Sequence, residues 1–105
     1  MNTEAQTLEK LQGLAKLYRQ GFHSEVVDQA IDKLLSVERE KALQDQRDLQ
    51  ACLSAYEAEY EMSSEVFYQR FRAGEVGDDI DFVQWSVFYE MSQALEDRLD
   101  VLDSI

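Results

Sequence analysis

Three aspartates, Asp78 and Asp79 at the end of the turn AGEVGDD and Asp81 just beyond it, form the densest group of potential ligands in the chain. Clustered carboxylates offer hard oxygen donors of the kind magnesium and calcium take. The spacing lacks the closing glutamate of a calcium loop, and no Glu-x-x-His pair accompanies it. Aspartates at this position also cap a following helix and complement its dipole, and they can hold Arg70 and Arg72 across the turn. That structural role is the expectation, and no metal or cofactor is expected. Nucleophilic catalysis lacks its parts. Cys52 lies among Leu49, Leu53 and Tyr56 and reads as a small buried hydrophobe, while His23 sits on the far side of a predicted continuous helix. The glycines of AGEVGDD carry acids where a phosphate would sit, and the loop has no lysine. No catalytic residue is therefore expected, and the chain is not read as an enzyme.

These residues depend on helices to position them. The chain has 105 residues, no proline and only four glycines, and helix-forming Leu, Ala, Gln, Glu and Arg dominate long spans. The pattern predicts an all-α, elongated antiparallel hairpin or coiled coil, with a short helix at the tip and an N-terminal helix before it. It forms a single domain over 1–105. Thr3 or Thr7 opens a helix over 3–20, with Leu8, Leu11, Leu14 or Ala15, and Tyr18 on one face and Gly21 ending it. Ser24 caps a second helix over 24–61 that nothing interrupts, roughly 55 Å at the rise of an α-helix. Its apolar positions Leu35, Ala42, Leu49 and Tyr56 recur every seven residues. The middle, EREKALQDQRD, offers little to bury and predicts a solvated stalk with pairs such as Glu38 and Lys41. Ser63 or Ser64 starts a short helix over 64–73. Asp78 or Asp79 caps the last, over 79–103, whose apolar positions run Ile80, Val83, Val87, Phe88, Met91, Leu95, Leu99 and Leu102. That face is broader than one neighbour requires.

A thin hairpin cannot cover Phe67, Phe71, Phe82, Trp85, Phe88 and Tyr89 at once. Part of the set is expected to form a core at the tip, and the remainder an exposed patch. Aromatic rings rimmed by acids are the make-up of a protein-binding surface. Trp85 and Tyr89, four residues apart on one helical face, are the expected anchors, joined by Phe71, Phe82, Asp78, Asp79 and Asp81.

Charge points the same way. Residues 1–50 carry nine acids and seven bases, whereas residues 51–105 carry thirteen acids and three bases. So acidic a half repels nucleic acid and anionic lipid and attracts a basic protein, or it serves only to keep the chain in solution. A thin hairpin of this apolar content leaves part of its stripe unburied, so a homo-oligomer, a dimer by preference, is expected. A lone cysteine, an N-terminus without signal-peptide character and no apolar run of ~20 residues lead to an expectation of a cytoplasmic chain with no membrane partner.

Two blocks carry a family resemblance. LEKLQGLAKLYRQGFHSEVVDQAIDKLLSVE, residues 8–38, resembles the helical part of ribbon-helix-helix antitoxins, in which a glycine turn precedes a SEVV helix start. The DNA-reading strand of that family has no counterpart in MNTEAQT, which argues against DNA as a partner. FYQRFRAGEVGDDIDFVQWSVFYEM, residues 67–91, resembles the C-terminal segment of small helical type II antitoxin-like proteins of cyanobacteria and archaea. The resemblance implies a chain that masks a small basic toxin with Asp78, Asp79, Asp81, Trp85 and Tyr89 and dimerises through its N-terminal helices, with Val27, Ile31, Leu34 and Leu35 forming a dimer or hairpin core. The alternative is a self-assembling coiled-coil scaffold with no catalytic role.

Overall fold

The computed structural model describes residues 2–105. All regular structure among them is helical: α1 (Thr3–Arg19), α2 (Glu25–Tyr60), α3 (Ser64–Arg72) and α4 (Ile80–Ser104). The helix ends follow from local chemistry. Asn2, rather than Thr3 or Thr7, caps α1: its Oδ1 accepts the Glu4 and Ala5 amides at 3.0 and 3.3 Å. Ser24 Oγ accepts the Val27 amide at the start of α2, and Ser63 Oγ accepts the Val66 amide at the start of α3. Asp79 occupies the cap position of α4, but its side chain makes no capping bond, which corrects the expectation that it would.

The exits of α1 and α3 share one mechanism. Gly21 (φ 96°) and Gly74 (φ 75°) take the left-handed conformation. Each closes a pair of backbone bonds: Gly21 to Tyr18 with Phe22 to Leu17, and Gly74 to Phe71 with Glu75 to Arg70. This double closure satisfies carbonyls a helix end would otherwise leave open. Glu61, just past α2, takes a left-handed φ of 53° without being glycine, at a steric cost.

The contacts divide the chain into two compact units, one ending at Leu34 and one spanning Leu35–Ile105, with α2 continuous through the boundary. A single domain was the expectation. In the first unit the Tyr18 hydroxyl ties α1 to the start of α2. It lies 2.7 Å from Asp28 Oδ1 and 3.0 Å from the Ser24 carbonyl, and it accepts the Ser24 amide. His23 Nε2 meets the other Asp28 oxygen at 2.9 Å.

The second unit is an antiparallel hairpin of α2 and α4, with α3 packed on α4. Two core clusters hold it. Along the shaft, Ala42 packs with Leu95 and Leu99, flanked by Leu43, Leu49 and Leu102. Ala42 is small enough to let the α4 leucines close over α2, and the seven-residue steps of both helices thus meet across the hairpin. The shaft's cross-helix ion pair is Arg39 Nε to Asp103 Oδ1 at 2.6 Å. Glu38 and Lys41 do not pair among the described residues.

Candidate partner-binding surface

The second cluster, at the closed end of the hairpin, contains most of the chain's rings. Its centre is Trp85, with no solvent exposure, beside Phe67 and Leu53. Phe67 stacks on the indole with centroids 3.8 Å apart and planes within 4°. Tyr56 and Tyr60 of α2 lie nearly parallel to the same ring at 5.6 and 5.7 Å. Indole Nε1–H donates to Ser64 Oγ at 2.9 Å, so the polar edge of a buried Trp is satisfied within the chain. The hydroxyl acceptor comes from α3, whose first-turn amide, Ser64 N–H, donates in turn to Glu57 of α2 at 2.8 Å.

This arrangement corrects the expected anchor. Trp85 is enclosed within the chain and cannot present its ring to a partner. Bringing such a ring out would forfeit ~150–250 Å² of buried surface, or about 4–6 kcal/mol. Phe71, Phe82 and Tyr89 are half-buried and pack against the same cluster, so they serve the core first. Tyr89 rests on Tyr68 at 4.8 Å, and Phe82 on Tyr60 at 5.1 Å.

The acids divide between two environments. Asp78 and Asp79 are exposed, as a partner-facing role requires. Asp81 is half-buried, and its Oδ2 accepts the Tyr60 hydroxyl at 2.7 Å. That bond and burial push the Tyr60 phenol up to about 12. Tyr68 is raised likewise by its bond to Glu90, and Tyr56 mainly by burial. Hydroxyls of α2 and α3 thus hold three polar groups of α4: Tyr60 to Asp81, Tyr68 to Glu90 at 2.6 Å, and Tyr56 to Gln84 at 3.0 Å. Neither Arg70 nor Arg72 forms an ion pair with the aspartates among the described residues. Nor does any group of three metal-ligating side chains occur among them.

The exposed apolar surface lies elsewhere on α4. Ile80 (74% exposed), Val83, Val87 and Met91 all face solvent, at spacings of three and four that place them on one side of the helix. This stripe is distinct from the side carrying Trp85 and Leu99. It continues into a shallow cleft of about 410 Å³ between α2 and α4, floored by Leu49, Met91, Ala94 and Leu95. Asp45, Asp48 and Arg98 stand at its edge. The broad apolar face of α4 therefore splits in two: one side is covered by α2 and α3, and the other is open. Spacing alone did not separate them, because the two sides interleave along the sequence.

Val27, Ile31, Leu34 and Leu35 all retain exposure. Val27 and Leu35 are half-buried, Ile31 and Leu34 open. No helix among the described residues is long and apolar enough to cross a membrane. No family model, curated protein or solved structure matches the chain.

Proposed function

We propose that the chain is a non-catalytic protein-interaction module that takes a small basic protein on the open side of α4, in the manner of a type II antitoxin masking its toxin, and that it works as a homodimer. The observation that carries this reading is the solvent-facing stripe Ile80, Val83, Val87 and Met91 in a half of the chain with thirteen acids and three bases. Contiguous apolar surface provides the burial. The surrounding acids, Asp78 and Asp79 at the start of α4 and Asp45 and Asp48 beside the cleft, favour a cationic partner and disfavour others. The rings assigned to the partner from sequence act instead as the rigid backing that holds α4 in place.

Self-assembly through this same stripe is the second reading. The charge disfavours it, because two copies would bring two strongly acidic surfaces together. The test is capture from the source organism with tagged wild-type chain and with Val87→Glu/Met91→Glu. A basic protein of comparable size retained by the first and lost from the second supports the proposal. Equal retention, or retention of acidic proteins alone, overturns it.

A further inference from the structure

The first unit cannot account for its own stability. It ends at Leu34, and its helix α1 buries no residue. Units below ~40 residues need a disulfide, a metal or association to fold. The chain's one cysteine, Cys52, lies outside this unit and is free. On α1 only Leu14, Ala15 and Tyr18 are even half-buried, and a 17-residue helix packed so lightly is marginal in water.

What the unit does have is an unfilled apolar groove. Leu11, Leu14, Ala15 and Tyr18 of α1 face Val27 and Ile31 of α2 around a space of about 150 Å³. Leu11 and Ile31 remain exposed there, and so does Leu34 at the end of the unit. The Tyr18–Asp28 bond and the His23–Asp28 contact tie the two helices at the turn and leave the leucine side open.

We infer that this groove is closed by the same groove of a second copy, and that α1 is stably helical only in that dimer. The inference rests on the dimer proposed above and identifies the surface that forms it. Charge selects the occupant. Residues 1–34 carry five acids and four bases, so like surfaces meet with little net repulsion, whereas residues 35–105 carry seventeen acids and six bases. The ends of α1 are complementary as well: Glu4 and Glu9 lie toward its start, and Lys16 and Arg19 toward its end. A two-fold axis that runs the two α1 helices antiparallel sets the basic end of each against the acidic end of the other, as a self-complementary interface requires. The result is four helices around one core of Leu11, Leu14, Val27, Ile31 and their symmetry mates. An acidic, basic-protein-seeking hairpin unit remains on each chain.

The experiment is sedimentation equilibrium on the full chain over a dilution series, with far-UV circular dichroism on the same samples. The comparison variants are Leu11→Lys/Ile31→Lys and, outside the groove, Leu17→Lys. Wild type and Leu17→Lys are expected at twice the chain mass. The double variant is expected at the single-chain mass, with roughly a fifth of the helical signal lost, corresponding to α1. Its Trp85 emission, which reports the second unit, should be unchanged, so simple misfolding is separable. A dimer that survives the double substitution overturns the groove as the interface while leaving the dimer intact. Single-chain mass for wild type at every concentration overturns both the interface and the dimer. Dissociation with full helical signal overturns the coupling of α1 folding to association.

Discussion

Removing the Ser64 hydroxyl tests whether the tip is a specified core or a loose collection of rings. Trp85 Nε1–H is buried and bonds to Ser64 Oγ at 2.9 Å, and both residues are closed to solvent. Ser64→Ala leaves a buried donor without its acceptor, which costs about 1–3 kcal/mol. The hydroxyl is small and Ser63, not Ser64, caps α3, so little else changes. The Ser64 amide bond to Glu57 is made by the backbone and persists. With a urea slope of roughly 1–2 kcal/mol/M for a chain of this size, the midpoint should fall by about 1 M. The same substitution in a Trp85→Phe background removes a hydroxyl that no longer has a donor to satisfy. There it should cost under about 0.5 kcal/mol, and the double-mutant cycle isolates the bond. Urea unfolding followed by circular dichroism serves all four proteins, because the signal does not depend on the indole. Equal costs of Ser64→Ala in the two backgrounds would refute the assigned bond, and a neutral effect in both would refute the tightness of the cluster.

Three further outcomes follow from the same structure. Ala42→Leu should destabilise by about 1–3 kcal/mol in thermal or urea unfolding, because Ala42 is closed in against Leu95 and Leu99 and extra methyl groups must displace one of them. Glu61→Gly should stabilise by about 0.5–1 kcal/mol, since the left-handed φ of 53° suits glycine and strains glutamate; circular-dichroism melts measure it. The Tyr60 phenol, held up to about 12 by its bond to Asp81, keeps its proton in the folded chain longer than in the unfolded one. Its contribution is fully present below pH 10 and is lost as pH rises toward 12. Tyr60→Phe should therefore flatten the alkaline loss of stability, and ultraviolet phenolate titration should show one late-titrating tyrosine fewer.

The helices were legible because their ends are written in local chemistry. Gly21 and Gly74 stop helices through the left-handed turn that glycine alone adopts cheaply, and Ser24 and Ser63 start them. The seven-residue steps through Ala42, Leu49, Leu95 and Leu102 likewise placed the antiparallel shaft. The allotment of rings was not legible. Trp85 and Tyr89 share a face by spacing, but whether that face is open depends on how the preceding nine-residue helix folds back, and α3 covers it. The bond from Trp85 to Ser64 spans 21 residues and leaves no local trace beyond the rule that a buried indole needs an acceptor. Asp81 was grouped with Asp78 and Asp79 by proximity in sequence, yet the first turn of α4 directs it to the Tyr60 hydroxyl. The open stripe was visible as apolar positions but merged with the covered one, since Val83 and Val87 alternate with Phe82, Trp85 and Phe88.

The proposed role of α4 is tested most directly by site-specific photo-cross-linking in the source organism. A benzophenone side chain is placed at Val87, on the open stripe, or at Gln93, exposed on another side of α4. An adduct with a basic protein from position 87 and none from position 93 is the predicted result. No adduct from 87, or the same adducts from both positions, would contradict it.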